Sequence, residues 1–302
     1  MNGHIVVVGS LNMDLVVRTP RHPRIGETII GSDFRTYPGG KGANQAVAAA
    51  RLGGKVKMVG RVGQDDFGQA LLGNVAQNGV DTTFIQRDQE AATGVALITV
   101  DASGQNTIVV ASGANARLMP EDISSAQEAF IGAAVLVLQL ECPLPAVARA
   151  IEIACQSGVR VVLNPAPAQP LQSELLASVD YLIPNQTELA LLSGRQSLDE
   201  GIGVLQEWGV RNLIVTLGEQ GVLIVEDGRQ TRLAAHPVQV VDTTAAGDAF
   251  VGAFVVALKE GVSTQEAASW GNAAGALVVT RAGAQPSLPE RSELDAFLSG
   301  LK

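Results

Sequence analysis

Residues 135–163 read VLVLQLECPLPAVARAIEIACQSGVRVVL, and this stretch decides the predicted fold. It begins and ends with mostly apolar, β-branched runs at 135–140 and 159–163, which are typical of strands buried on both faces of a parallel sheet. The segment between the two runs has the pattern of a helix. Strand, helix and strand in succession indicate a parallel pair joined by a helical crossover.

The same alternation continues through most of the chain. Further strands are predicted at 5–8, 56–59, 181–183, 213–217 and 222–225. Apolar residues at helical spacing, such as Ala43, Ala46, Val47 and Ala50, fall between them, and Pro120 begins a segment with an acidic first helical turn. The pattern predicts an α/β fold with a doubly wound, mostly parallel sheet flanked by helices.

Two stretches interrupt this alternation and predict a small β-sheet lid. Residues 15–38 hold strand-like pieces at 15–18 and 27–30 without a helix between them, and residues 94–100 and 106–111 read as a hairpin. We therefore predict an α/β core formed by residues 1–14, 39–92 and 113–302, and a lid formed by residues 15–38 and 93–112. A sheet in this position is expected to cover a site or to pair two subunits.

Composition excludes several classes of protein. Of 302 residues, 46% are hydrophobic and only 17% are charged, which argues against disorder. The net charge of −9 and the lack of a basic cluster argue against a nucleic-acid partner. No apolar run is long enough to span a membrane, and Met1-Asn2-Gly3-His4 lacks the features of a signal peptide. Two cysteines and three dispersed histidines predict neither a disulfide framework nor a histidine-based zinc site. We expect a cytoplasmic protein.

The strongest chemical signal is VDTTAAGDAFVG at residues 241–252. Ala245, Ala246 and Gly247 stand where a helix begins, so their N–H groups are free to bind phosphate oxygens. Asp248 follows in the first helical turn, where an acid suits a general base that takes a proton from an attacking hydroxyl. The alternative is an ordinary helix start, capped by Thr244 or Asp242.

Other polar clusters follow predicted strands, where the carboxyl ends of a doubly wound sheet carry its site. GSLNMD at 9–14 offers Asn12 and Asp14, GGKGANQ at 39–45 offers Asn44 on a glycine-rich helix start, and Glu141 follows the run at 135–140. Amide and carboxylate groups of this kind suit a ligand rich in hydroxyls. Loop capping and a plain glycine turn are the alternatives.

Two further segments have both a functional and a structural interpretation. Asn185 and Glu188, spaced i and i+3, share one helical face if a helix covers both, and then suit a hydrated Mg²⁺ and phosphate oxygens. A capping pair is the alternative. Residues 216–221, TLGEQG, form a turn between two predicted strands and need no function. P-loop, dinucleotide-binding, serine-hydrolase and zincin motifs are absent from the sequence.

Together these stretches resemble the ribokinase group of the pfkB-type carbohydrate kinases, over about residues 5–298. The residues that carry the resemblance are GGKGANQ at 39–45, NPAPA at 164–168, Asn185 with Glu188, DTTAAGD at 242–248 and TRAGAQPS at 280–287. The resemblance implies a ribokinase-like fold and ATP-dependent phosphorylation of D-ribose at its 5-hydroxyl. It also implies Mg²⁺, activation by K⁺ and a homodimer that pairs through the lid.

The resemblance also implies roles for individual residues. Asp248 matches the catalytic base, and Ala245, Ala246 and Gly247 match the anion hole. The implied sugar-binding residues are Asn12, Met13, Asp14, Gly40, Lys41, Gly42, Ala43, Asn44, Glu141 and Asp248. The implied nucleotide contacts are Asn185, Thr216, Leu217, Gly218, Glu219, Gln220, Gly221, Gly247, Asp248 and Asn272. The implied K⁺ ligands are Asp242, Thr244, Val278, Arg281, Gly283 and Ser287, and Asn185 and Glu188 are implied for Mg²⁺, mostly through water.

The sequence departs from the family at two places that matter here. Ala245 stands where the wider superfamily usually has glycine, and Asn272 stands where some members have histidine. Among the sugar motifs Lys41 is the only basic residue, which favours a neutral sugar over a sugar phosphate. Kinases for 2-deoxyribose, another small sugar or a nucleoside remain alternatives. A non-catalytic sugar sensor on the same scaffold is a more remote one.

Overall fold

The computed structural model describes residues 3–300, so Met1, Asn2, Leu301 and Lys302, which fall within the predicted core, lie outside the described residues. The strands are β1 (His4–Val8), β2 (Asn12–Arg18), β3 (Asp33–Gly39), β4 (Val56–Gly63), β5 (Val80–Asp88), β6 (Gly94–Val100), β7 (Asn106–Ala111), β8 (Ala133–Leu138), β9 (Arg160–Leu163), β10 (Tyr181–Leu182), β11 (Asn212–Thr216), β12 (Val222–Glu226) and β13 (Arg229–Leu233). The helices are α1 (Lys41–Arg51), α2 (Asp66–Gln77), α3 (Pro120–Ser125), α4 (Leu144–Gln156), α5 (Ser173–Ala177), α6 (Gln186–Ser193), α7 (Leu198–Glu207), α8 (Ala246–Glu260), α9 (Thr264–Val278) and α10 (Arg291–Ser299).

A nine-stranded sheet forms the centre of the molecule, in the order β13-β12-β11-β10-β9-β8-β1-β4-β5. The seven strands from β11 to β5 are parallel, and β12 and β13 extend one edge antiparallel. The prediction of a doubly wound, mostly parallel sheet is therefore confirmed.

Helices cover both faces of this sheet, because alternate residues of its central strands point to opposite sides. In β1, Ile5 and Val7 pack into one apolar cluster with α1, α8 and α9. Val6 and Val8 pack into a second cluster with α3 and α4. Burial on both sides explains why the central strands are apolar throughout.

Four further strands form a separate small sheet in the order β3-β2-β6-β7. β6 and β7 are the predicted hairpin, with the predicted bounds. The predicted strand at 27–30 is wrong: that segment makes no strand pairing, and the partner of β2 is β3. The predicted divisions after residues 14 and 38 fall inside β2 and β3, which reach Asn12 and Gly39.

The strand order reverses between β8 and β1, which is the position where open α/β sheets bind ligands at their carboxyl ends. The chain leaves β1 into Ser10–Asn12 and leaves β8 towards Glu141. The predicted strand at 135–140 is displaced by two residues, since β8 runs from Ala133 to Leu138. Gln139 and Glu141 consequently lie beyond the end of the strand, at the edge where the site forms.

Candidate active site

Helix α8 begins without a side-chain cap. Its N-cap residue, Ala245, is left-handed with a φ of 61°, a conformation that glycine adopts more readily. The N–H groups of Ala245, Gly247 and Asp248 have no hydrogen-bond acceptor among residues 3–300. The Ala246 N–H, which the resemblance also implies for the anion hole, instead donates to the Thr243 carbonyl at 3.3 Å. Three unpaired donors at the positive end of a helix suit an anion such as a phosphoryl group.

The alternative interpretation, in which Asp242 or Thr244 caps this helix, is wrong. The Asp242 carboxylate instead accepts the Thr244 N–H at 2.9 Å, the Thr244 hydroxyl at 2.6 Å and the Gly283 N–H at 2.8 Å. These bonds tie the segment before α8 to the turn that follows α9, and they leave the first-turn donors of α8 free.

Asp248 is held from both sides by amide groups of α1. Its Oδ2 accepts from Asn44 Nδ2 at 2.9 Å, and its Oδ1 accepts from Gln45 Nε2 at 2.9 Å. Asp248 is only 6% exposed, so these bonds form away from bulk water. The two motifs that were separated by two hundred residues in the sequence therefore meet at this carboxylate.

Glu141 closes the opposite side of the cluster. Its Oε2 accepts from the Ser10 hydroxyl, from the Lys41 N–H at 3.1 Å and from Asn12 Nδ2 at 3.4 Å. The Asn12 amide oxygen in turn accepts from Asn115 Nδ2 at 2.8 Å. The carboxyl ends of β1 and β8 thus share one network of polar groups.

Gly40 and Gly42 let the segment at 39–45 lie directly on the segment that leaves β1. Gly40 has a φ of 89°, and a Cβ on Gly42 would lie 2.6 Å from the Ser10 nitrogen. Met13 and Ala43, also implied as sugar-binding, bury their side chains in the apolar core. Their side chains are therefore not available to a ligand.

The carboxylates in this cluster perturb one another. Burial, and then the charges of Glu141 and Asp248, raise the pKa of Asp14 from 3.8 to about 7. Burial alone would lower the pKa of Lys41, but the carboxylates of Asp248, Glu141, Glu188 and Asp14 together raise it. The surrounding acids therefore favour the charged form of Lys41, whereas burial and the neighbouring carboxylates disfavour the ionised form of Asp14.

Replacing Asp14 by asparagine should stabilise the protein at pH 8 but not at pH 4. Between 3.8 and about 7 folding takes up a proton at Asp14, so the wild type loses stability as the pH rises through this window. Through this window the wild type loses up to about 4 kcal/mol of unfolding free energy, and the asparagine variant does not. Urea unfolding of both proteins at the two pH values measures it. An equal difference between the two proteins at both pH values would contradict this assignment.

A cavity of about 200 Å³ lies beside the start of α8 and is lined by Lys41, Asp248 and Glu188 among others. Asn185 precedes α6 as its N-cap, so it does not share a helical face with Glu188. The two instead form the capping pair: each side chain accepts the other's N–H at 2.8 Å. Burial raises the pKa of Glu188, against the opposing effects of the Asn185 N–H and of Lys41.

A larger cavity of about 700 Å³ adjoins the first, since both are lined by Ala246, Gly247, Asn185, Thr216 and Thr243. The predicted nucleotide contacts that line it are Asn185, Thr216, Leu217, Gly218, Glu219, Gly221, Gly247 and Asn272. Gln220 is exposed in the turn between β11 and β12 and does not line the cavity. The Asn272 amide donates to the Ala234 carbonyl at 2.7 Å.

The sequence did not single out the apolar wall of this larger cavity. Val238, Phe250, Ala276 and Val279 contribute to it, together with the ring of His236. Phe250 stands in the motif that follows Asp248, but nothing in its spacing distinguishes a cavity wall from an ordinary core position. A cavity of this size with one apolar wall and a helix N-terminus at its end can hold a flat ring joined to phosphates.

The implied K⁺ ligands lie in the two segments that Asp242 connects. Asp242 contacts Thr244 and Gly283 directly, whereas Ser287 is buried in the next turn and its hydroxyl donates to the Ala284 carbonyl at 2.7 Å. The Val278 carbonyl accepts the Arg281 N–H at 3.0 Å. Carboxylate, hydroxyl and carbonyl oxygens are the donors that a hard cation requires, and the residues fit one chemically.

In the described part of the chain, no cluster of three histidine, cysteine or acidic side chains is placed to hold a metal ion directly. Helices long and apolar enough to cross a membrane are likewise absent from residues 3–300. Cys142 and Cys155 are both unpaired.

Comparison with known proteins gives a consistent result. Residues 2–291 match the model of the pfkB family of carbohydrate kinases. The ribokinase of Haemophilus influenzae is 43% identical over 303 residues, which cover 99% of each chain. The deoxyribokinase of Salmonella typhi is 38% identical over 301 residues, which cover 98% of each chain. The structure of Arabidopsis thaliana ribokinase complexed with ribose and ATP superposes with a TM-score of 0.93, at 35% identity and 99% coverage of both chains.

Proposed function

Because this chain belongs to the pfkB family of carbohydrate kinases, we propose that it transfers the γ-phosphoryl group of ATP to the 5-hydroxyl of D-ribose. The single observation that supports this most is the position of the α8 start. Its free N–H groups lie where the larger cavity meets the smaller one, and Asp248 lies beside them. The cavity proposed for the nucleotide, the proposed anion site and the proposed base are therefore adjacent.

Asp248 acts as the general base in this proposal. It takes the proton of the 5-hydroxyl while the hydroxyl oxygen bonds to the γ-phosphorus and the bond from that phosphorus to the bridging oxygen of ADP breaks. The N–H groups of Ala245, Gly247 and Asp248 and the ammonium of Lys41 stabilise the negative charge on the transferring group. Asn44 and Gln45 each donate a hydrogen bond to this carboxylate.

The sugar is held by neutral and acidic groups. Asn12, Asp14, Asn44 and Glu141 provide hydrogen-bond acceptors and amide donors for hydroxyls, and Lys41 is the only basic side chain among them. Such a site suits an unphosphorylated sugar, because a second phosphate would need a cluster of basic groups. The similarity to ribokinases supports ribose, and the similarity to a deoxyribokinase makes 2-deoxyribose the second candidate.

The substrate is tested by ATP-dependent release of ADP with ribose, 2-deoxyribose, fructose, adenosine and fructose 6-phosphate. We expect the highest kcat/KM for ribose. A preference for another sugar would reassign the pocket around Asp14, Asn44 and Glu141 and leave the assignment of Asp248 intact. No turnover with any acceptor would contradict the proposal.

Glu188 is the residue that would hold a nucleotide-bound Mg²⁺. One oxygen of Glu188 accepts the Asn185 N–H, and the other has no hydrogen bond from the described residues, so it suits a metal-bound water. Mg²⁺ is commonly held in this way, by one or two carboxylates, water and substrate phosphates. When bound, the ion neutralises phosphate charge; Glu188 orients its hydration shell.

A monovalent cation should activate the enzyme through Asp242. We expect K⁺ to raise kcat/KM roughly tenfold over Na⁺, since a bound cation would order the segment that leads into the anion hole. Asp242→Asn should remove this difference, whereas Asp199→Asn, the same change at an exposed site on α7, should keep it. Equal activity of the wild type in K⁺ and Na⁺ buffers would refute the cation site.

The small sheet is proposed to pair two copies of the chain. Phe34, Leu97 and Val109 are exposed on it, and Leu97 pairs directly with Val109, so their side chains share one face. Exposed apolar groups grouped in this way are typical of an interface, and the active site lies at the base of the same sheet, where β2 begins.

Val109→Glu should convert a dimer to a monomer, because it places a charge in the proposed contact. Ile131→Glu is the matched control: Ile131 is also exposed but lies outside the small sheet. Sedimentation velocity at micromolar concentration should show a dimer for the wild type and the control, and a monomer for Val109→Glu. A monomeric wild type would overturn the interface.

The compartment we propose is the cytoplasm. The two unpaired cysteines suit a reducing environment, and the reaction requires ATP.

A further inference from the structure

We propose that Gln45, held in place by Gln139, is a positioning residue that fixes the orientation of Asp248. The proposal rests on the assignment of Asp248 as general base. Gln45 lies one residue after Asn44 on α1 and is 1% exposed, and its Nε2 donates to Asp248 Oδ1 at 2.9 Å. It does not line the cavity beside Asp248, so its contact is with the carboxylate and not with a ligand.

Two independent contacts determine which way the Gln45 amide points. Its Nε2 also donates to Asn164 Oδ1 at 3.1 Å, and Asn164 Nδ2 donates to the Ile183 carbonyl at 2.8 Å. Because a carbonyl only accepts, Asn164 must present its oxygen to Gln45. Both protons of the Gln45 amide are therefore committed, one to Asn164 and one to Asp248.

Gln139 holds the other end of the same amide. Its Nε2 donates to Gln45 Oε1 at 2.6 Å, and it is 1% exposed. Reversing the Gln45 amide would turn its oxygen towards the Asp248 carboxylate and its nitrogen towards the Gln139 nitrogen. The contact with Asp248 would be repulsive, and so would the contact with Gln139 unless its own amide also turned. Asp248 and Asn164 therefore admit a single orientation of the Gln45 amide, to which Gln139 donates.

Glutamine at position 139 has an energetic cost. Its Oε1 is buried without a hydrogen-bond partner among the described residues, and a Cβ on Gly9 would lie 2.1 Å from that oxygen. An unsatisfied buried acceptor usually destabilises a protein, and an apolar side chain of the same length would avoid it. A polar side chain with this cost is more easily explained by its action on Gln45 than by stability.

The second carboxylate oxygen of Asp248 is also held by an amide that a further glutamine contacts, but we expect disturbing that pair to affect sugar binding. Asn44 holds Oδ2, and the Asn44 amide oxygen accepts from Gln285 Nε2 at 3.1 Å. Asn44 belongs to the proposed sugar pocket, whereas Gln45 does not. Disturbing Gln285 should therefore change ribose KM, while disturbing Gln45 or Gln139 should change kcat alone.

The test measures kcat and KM for ribose and ATP in Gln45→Met, Gln139→Met, the double variant and Gln285→Met. We expect Gln45→Met to lower kcat roughly 10- to 100-fold, as a misplaced catalytic group does, with both KM values within about threefold of wild type. Gln139→Met should lower kcat less, without a lower melting temperature. The double variant should match Gln45→Met, because Gln139 acts through Gln45. Gln285→Met should raise ribose KM.

Unchanged kcat in a folded Gln45→Met enzyme would overturn the proposal, and so would a loss confined to KM. If Gln45→Met does not fold, Gln139→Met decides: a lower kcat at unchanged KM supports the proposal, and wild-type kcat overturns it. Asp248→Asn is measured in parallel. If it keeps its turnover, the general-base assignment fails; if only Asp248→Asn loses turnover, the positioning role alone fails.

Discussion

Asp248→Asn should lower kcat roughly 10³-fold while the variant still binds ribose and ATP. Asparagine keeps the size of the side chain but cannot take the proton of the attacking hydroxyl. The carboxylate is 6% exposed and is bonded to Asn44 and Gln45, so water cannot easily replace it. Steady-state ADP release gives kcat, and isothermal titration gives the two affinities.

The experiment needs a control that shows that the Asp248→Asn variant is still folded. Asparagine presents an N–H group to one of the two amides that Asp248 now accepts from, so the melting temperature must be measured beside kcat. Asp248→Ala, which removes the carboxylate and presents no donor, should show a loss of the same order. Turnover within tenfold of wild type in either folded variant would exclude Asp248 as the base. Binding of ribose and ATP by the wild type without a measurable reaction would instead support the sensor interpretation.

Gly247→Val should reduce kcat/KM for ATP at least about 10²-fold, comparable to the loss of a donor from an oxyanion hole. A Cβ at Gly247 meets no atom within 4 Å, and Gly247 lines both cavities. The added side chain therefore projects into the space that a phosphoryl group would occupy. Because it displaces nothing in the protein, the melting temperature should change little.

Gly203→Val is the matched control for this change. Gly203 also lies in a helix, α7, with no atom within 4 Å of its Cβ position, but it is absent from both cavities. We expect wild-type kinetics from it. If Gly247→Val retains full activity, or if both variants lose activity equally, the anion hole is not at the start of α8.

Much of the fold was accessible from local sequence pattern, because buried parallel strands are apolar on both faces. The strands missed in the large sheet were β5 and β13, which lie at its two edges and carry polar residues such as Thr82 and Arg232. In the small sheet β3 was missed. Edge strands need only one covered face, so their composition does not separate them from loops. The wrong strand at 27–30 has a suitable composition, but β3 takes the available pairing with β2.

The site was predictable only in part, for a related reason. Glu141 stood out because it follows a strand, and Asn44 and Asp248 stood out because they belong to helix starts rich in small residues. Gln139 and Asn115 did not, since a single buried amide carries no spacing signal. Their partners are about a hundred residues away, and only the meeting of β1, β8 and α1 brings both of them to the site.

The most direct test of the central claim is the identity of the product. The enzyme is incubated with ribose, ATP, Mg²⁺ and K⁺, and the sugar phosphate is examined by phosphorus NMR with proton coupling. We predict one new phosphomonoester whose phosphorus couples to the two protons of a methylene group, as a phosphate on C5 does. Coupling to a single proton, as expected for a phosphate on C1, or ATP consumption without a sugar phosphate would contradict the account.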